Sequence, residues 1–159
     1  MGTRTELLLR VELDEDLPDE VVVILDAYAR DEAGSLEYLP EHAFFKTRGW
    51  DRALWHRDFA TPTARDSVQF WMDEIDNPDQ WRLLVHCCSK NAEKAFEEFL
   101  DWILPFVDGA PGAFLGYLLE DDRDALRLIY APPAPSDESV YLTVSSFSSE
   151  SHTNSNQLR

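Results

Sequence analysis

The order of apolar patterns along the chain is the feature that most constrains its fold. Residues 5–13 alternate apolar and polar side chains, and 17–28 repeat apolar residues at helical spacing. Alternation returns in 67–75 and 81–89, a second helical repeat covers 92–107, and 112–120 and 125–131 read as a final hairpin. This order predicts an α+β fold, an antiparallel sheet of about five to six strands with two helices on one face. It matches a ferredoxin-like βαββαβ plan with additions.

Local signals suggest where the two helices begin and end. Asp16 and Pro18 fit the N-cap and first turn of the first helix, and Gly34 fits its end. The β-branched run 21–24 also suits a strand, but the surrounding spacing favours a helix. Asn91 is the expected N-cap of the second helix, and Pro105 is expected to end or kink it.

Residues 35–66 form an aromatic insertion with no clear period. Five of the 14 basic residues lie within 46–65, close to five aromatic residues. Residues 41–46 and 53–60 are predicted to form short strands around a turn at 48–51.

The composition changes after Tyr130. Residues 4–131 are predicted to form a single α+β domain. Residues 132–159 form a Pro/Ser-rich C-terminal tail, which we expect to be flexible or to add an edge strand through its weak alternation at 139–147.

The charge is strongly negative. The 159 residues include 31 acidic and 14 basic residues, for a formal net charge of −17. Direct binding to a nucleic-acid backbone is therefore not expected, because it needs clustered Lys and Arg. A basic protein partner is compatible with this charge, as is an acidic surface that serves only solubility. No apolar run suits a membrane helix, and neither a monomer nor a homodimer is excluded.

The two cysteines, Cys87 and Cys88, are neighbours whose side chains point to opposite faces of a strand, which disfavours a mutual disulfide. Two reduced thiols favour a cytoplasmic location. Together with His86 they lack zinc spacing, so we expect Cys87 to be buried and free of metal.

No catalytic motif stands out. His42, His56 and Ser67 carry triad chemistry but no ordering signal, and the carboxylates of 73–76 and 120–124 are expected to lie in solvated turns. Phosphate-binding glycine loops are also missing from the sequence, so no cofactor is expected and an enzyme is disfavoured.

Three functions stay open. The first is a non-catalytic, acidic protein-interaction module, including the narrower version of an inhibitor or DNA mimic. The second is a binder of small anionic ligands such as a nucleotide, working through segment 44–59, and the third is an enzyme with an unusual site. The acidic surface candidates are Asp19, Asp26, Glu93, Glu97, Glu98 and Asp101, and the ligand or interface candidates are Lys46, Arg48, Trp50, Arg52, Trp55 and Arg57.

The alternation also predicts the two faces of the sheet. Leu126 and Leu128 of the last strand are assigned to the helix side, whereas Leu8, Trp71, Leu84 and Ile129 are assigned to the outer side. An outer face this apolar predicts a cover, because exposed apolar patches promote association. The expected cover is segment 35–66, with the tail or a second copy of the chain as alternatives.

Overall fold

A computed structural model describes residues 3–55, 67–75, 78–121 and 125–133. Its strands are β1 (Arg4–Leu13), β2 (Val68–Asp73), β3 (Gln80–Lys90), β4 (Phe114–Glu120) and β5 (Ala125–Tyr130). Its α-helices are α1 (Asp19–Ala29), α2 (Ala43–Lys46) and α3 (Glu93–Ile103), and short 3₁₀ turns cover Ala33–Ser35, Trp50–Arg52 and Leu104–Phe106.

The five strands form one antiparallel sheet in the order β2-β3-β1-β4-β5. The first four strands follow the βαββαβ plan, with α1 in the crossover from β1 to β2 and α3 in the crossover from β3 to β4. The fifth strand extends the sheet beyond β4. The predicted fold class is therefore confirmed.

One face of the sheet packs against both long helices. Strand β1 turns Leu7, Leu9, Val11 and Leu13 to this face, and each is almost completely buried. Their partners on β3 include Cys87, Val85 and Leu83, and the helices add Ile24, Leu25, Phe96, Phe99 and Ile103 to the same core. Burial of apolar area drives this packing, since each such side chain stabilises the fold by about 1.5–3 kcal/mol.

Some helix ends lie at other residues than those that the local sequence signals predicted. Pro18, not Asp16, stands at the N-cap of α1, and the helix ends at Ala29, before Gly34. Asn91 adopts a positive φ of 54° just before α3, whose N-cap is Ala92. Asn tolerates this left-handed conformation, which lets the chain turn from β3 into the helix. The predicted helical state of 21–24 and the end of α3 near Pro105 are confirmed.

The prediction of short strands in the aromatic insertion was wrong for the residues described. Residues 43–46 form α2 and residues 50–52 a 3₁₀ turn, while 56–66 lie outside the described residues. Phe44 is completely buried and packs on Phe99 and Trp102, at ring-centroid distances of 5.5 and 6.1 Å. This segment therefore completes the core on the helix side of the sheet.

The predicted facing of β5 was also wrong. Leu118 pairs with Arg127 and Gly116 with Ile129, which turns Arg127 and Ile129 toward the helices. Ile129 is buried, whereas Leu126 is 41% exposed on the outer face. The pattern of this strand is ambiguous because it carries apolar residues on both faces.

The outer face of the sheet keeps Trp71 41% exposed. The described part of the aromatic insertion lies on the opposite side of the sheet. The expectation that it covers the outer face was therefore wrong for these residues. A dimer through this face stays a prediction, as does the division into a domain at 4–131 and a tail at 132–159, because residues 134–159 lie outside the described part.

No helix of the described residues is long and apolar enough to span a lipid bilayer.

A candidate binding cleft between α3 and β5

Helix α3 presents a line of carboxylates beside the sheet. Glu93, Glu97 and Asp101 are spaced four residues apart, so they share one side of the helix. Phe96, Phe99 and Ile103 occupy the buried side, which fixes the rotation of the helix about its axis. The core packing therefore decides which carboxylates face β5.

Arg127 of β5 joins the helix to the sheet. Its guanidinium contacts Glu93 at 3.2 Å, Glu120 at 3.0 Å and also Glu97. The Arg127 side chain is 19% exposed and that of Glu120 only 3%. Charged groups this far from water need ionic partners, which explains why the arginine sits among three carboxylates.

At the other end of this row of carboxylates, Asp101 is in contact with the aromatic insertion. His42 caps α2 by accepting the Phe44 N–H at its Nδ1, and its Nε2 lies 3.3 Å from the Asp101 carboxylate. The Asp101 side chain is 77% exposed.

A cleft of about 420 Å³ lies between α3 and β5. Apolar side chains from the helix and both strands, such as Leu100, Leu118 and Ile129, line it together with Arg127. Glu97, Glu98 and Asp101 also line it. Two cations, the Arg127 guanidinium and the Lys94 ammonium, lie on this side of α3. The carboxylates there number five: Glu93, Glu97, Glu98, Asp101 and Glu120. The formal net charge of this group is therefore −3. The cleft therefore favours a cation with an apolar stem.

The predicted acidic surface residues are only partly brought together. Glu93, Glu97, Glu98 and Asp101 cluster on α3, whereas Asp19 and Asp26 lie on α1. Most have intramolecular partners: Glu98 accepts from Thr47, and Asp26 pairs with Arg30 at 3.0 Å. Because their carboxylates also hold the fold together, the set is not a uniform free array.

The predicted basic and aromatic residues are divided between the core and the surface. Trp50 packs against the core, and its carbonyl accepts a hydrogen bond from Tyr28. Lys46 pairs with Glu41, and Arg52 pairs with Asp51 while its guanidinium lies 5.4 Å from the centroid of the Trp55 ring. Arg48 is exposed, and Arg57 lies outside the described residues.

A second polar group lies on the open face of the sheet. Glu6 accepts from Tyr117 at 3.0 Å and lies 2.9 Å from His86, but this group is on the open face, where the His86 side chain is 49% exposed. Burial raises the pKa of Tyr117, with the hydrogen bond and negative charge of Glu6 as further causes. Acid–base catalysis gains most where water is excluded, and this group is open to water.

The cysteines lie as predicted. Cys87 is completely buried and free, and Cys88 and His86 point to the opposite face. Burial raises the pKa of the Cys87 thiol well above its usual value, with the nearby Cys88 and Glu6 as lesser causes. Within the residues described, no three His, Cys, Asp or Glu side chains are grouped so as to hold a metal ion.

Arg127 is a site residue that sequence reasoning missed, and the expectation of a solvated turn was wrong for Glu120, which ends β4 and is 3% exposed. An arginine between Leu126 and Leu128 in an apolar strand is a weak signal of a buried ion pair, and the Glu93–Glu97 spacing supplies suitable partners. Only the packing of α3 over β4 and β5 brings these residues together.

Comparisons of the chain with protein-family models, with curated proteins and with solved structures gave no match.

Proposed function

We propose that this chain is a non-catalytic protein-interaction module whose partner is basic. The carrying observation is the cleft between α3 and β5, which combines an apolar lining with a net negative rim. Such a site suits an arginine or lysine side chain, whose methylene stem packs on apolar surface while its charged end meets carboxylates. The net charge of −17 would also steer a basic partner toward the molecule.

The narrower proposal of an inhibitor or DNA mimic places a stricter requirement on the arrangement of the same carboxylates. A phosphate mimic needs regularly spaced negative charges open to the partner. Glu93 and Glu97 instead share the Arg127 guanidinium, and Glu98 lies near the Lys94 ammonium at 3.7 Å. We therefore develop the general basic partner rather than this version.

The anionic-ligand alternative draws on one exposed feature, the Arg52 guanidinium over the Trp55 ring. Much of the aromatic surface that it needs is buried in the core, since Phe44 and Phe45 are inaccessible. A clear rise in melting temperature with a nucleotide, at constant ionic strength, would favour this alternative over the interaction module. The proposed cytoplasmic location fits two cysteines that form no disulfide.

The test of the proposed function is a synthetic peptide array whose members span strongly acidic to strongly basic net charge. We expect the labelled chain to retain basic peptides, with binding that weakens as sodium chloride is raised, because exposed charges are screened. Scrambled basic peptides of equal charge separate sequence-dependent binding from simple attraction. Retention of neutral or acidic peptides alone, or of none, would refute the proposed function.

A further inference from the structure

Strand β5 is the outermost strand at one end of the described sheet. In the part of the chain that the structure describes, β5 pairs with β4 only. Ala131 exchanges backbone hydrogen bonds with the β4 side, through Ala113 at 2.8 Å and Gly112 at 3.0 Å. Because antiparallel strands alternate the direction of their backbone groups, those of Leu126, Leu128 and Tyr130 face the open edge.

This edge has few of the features that usually prevent strand addition. Natural edge strands are often protected by lysine, by proline or by inward-pointing charged residues. Strand β5 contains no lysine or proline. Its single charge, Arg127, turns inward, but Glu93, Glu97 and Glu120 already compensate that charge inside the sheet. The edge is therefore suited to pair with another strand.

The cleft lies beside the same edge. Its lining comes from α3 on one side and from Arg127, Leu128 and Ile129 of β5 on the other. A strand added next to β5 would lie about 4.8 Å from it and would turn every second side chain toward α3. Glu97, Glu98 and Asp101 line the cleft on that side, so these are the carboxylates that long side chains of the added strand would face.

We propose that β5 and the cleft bind an extended basic segment of the partner, which joins the sheet as an added strand. Backbone hydrogen bonds to the β5 edge provide affinity, and alternate arginine or lysine side chains that meet the α3 carboxylates provide specificity. This surface rests on the proposed function and specifies where and how the basic partner binds.

Charge favours a basic strand at this edge over two other possible occupants, the chain's own tail and a second copy of the chain. The chain's own residues 134–159 contain three acidic residues and one basic residue, and their alternating stretch 139–147 carries no charge that the α3 carboxylates would attract. A second copy paired edge to edge would bring another −17 and another set of α3 carboxylates. Like charges at close range oppose the second copy, and the uncharged tail stretch gains no attraction, whereas a basic strand is attracted.

The test uses a short synthetic peptide in which arginine alternates with threonine, titrated into the full-length ¹⁵N-labelled chain. We expect the amide signals of Ala125–Tyr130 and of α3 to shift, and the amides of Leu126 and Leu128 to become protected from hydrogen exchange. Asp101→Asn should weaken binding by on the order of threefold, since it removes one exposed charge. Asp26→Asn, on α1, is the matched control and should leave the affinity unchanged.

Backbone pairing is tested by N-methylation of the peptide. Methyl groups on one alternate set of amides should abolish binding, because that set donates to β5, while methyl groups on the other set should be tolerated. Equal binding of both methylated peptides would overturn strand addition.

Other results separate the inference from the proposed function. If basic array peptides bind but shift signals away from β5 and α3, or if the alternating peptide does not bind, the inference is overturned and the proposed function stands. If the free chain already protects the outward β5 amides, its own tail or a second copy occupies the edge. Concentration-dependent sedimentation identifies the second copy, and either result overturns the basic-strand proposal.

Discussion

At the scale of single residues, Tyr28 connects α1 to the aromatic insertion. Its side chain is buried, and its hydroxyl donates to the Trp50 carbonyl. The Trp50 ring meets it edge-on at a centroid distance of 6.0 Å. Burial raises the pKa of the Tyr28 phenol well above its ordinary value, and the negative charge of Asp51 and the nearby Cys87 add to this effect.

The raised pKa predicts a loss of stability in alkali. The unfolded chain loses this proton near pH 10, whereas the folded chain keeps it, so the stability from neutral Tyr28 is present below about pH 10 and is lost as the pH rises through the folded pKa. Tyr28→Phe should lower the free energy of unfolding by about 1–2 kcal/mol at pH 7. It should also flatten the decline above pH 10, measured by urea unfolding.

Tyr38 supplies the control, because it is 88% exposed. Tyr38→Phe should leave both the stability at pH 7 and the alkaline decline unchanged. An equal alkaline decline in wild type and Tyr28→Phe would show that other groups cause it.

At the scale of elements, the close approach of β4 to β1 depends on a glycine. The register of β4 on β5 shifts between Phe114 and Gly116, which marks a bulge or irregularity. A Cβ built on Gly116 would lie 1.9 Å from the Leu8 carbonyl oxygen of the neighbouring strand. Only the absence of a side chain permits this contact between backbones.

Gly116→Ala should therefore destabilise the fold severely, by about 3 kcal/mol or more, because neither backbone can move without disturbing the centre of the sheet. Thermal and urea unfolding of the purified variant measure the loss. Gly109→Ala is the matched control, since its new methyl group would meet neighbours at ordinary distances of 3.7 Å. A Gly116→Ala variant as stable as this control would contradict the close backbone contact between β4 and β1.

At the scale of the whole molecule, the negative charge opposes the compact state. A formal charge of −17 on 159 residues brings like charges together on folding. One local example is Asp14, whose pKa is raised by partial burial and by the nearby Asp108 and Asp16. The Arg127 cluster shows the opposite arrangement, in which carboxylates surround a cation.

Added salt should consequently stabilise the protein. We expect the melting temperature to rise as sodium chloride is increased from low to physiological concentration, because screening weakens repulsion between exposed charges more than it weakens partly buried ion pairs. Potassium chloride should have the same effect, which would exclude specific binding of sodium. A melting temperature that falls with both salts would show that ion pairs outweigh the general repulsion.

The sequence by itself determined the elements that depend on local periodicity. The strand pattern of 5–13, the helical repeat that became α3 and the inward position of Cys87 all follow from which residues share a face, a property of neighbouring residues alone. The order of these elements then left few topologies besides the βαββαβ plan.

Tertiary structure decided what depends on residues far apart in the chain. The facing of β5 was ambiguous in its own sequence, and pairing with β4 settled it by turning Arg127 toward Glu93 and Glu97. The aromatic insertion had no period to reveal that Phe44 would enter the core beside Phe99. The cleft likewise exists only because core packing rotates the α3 carboxylates toward the last strand, and no local pattern encodes that relation between distant segments.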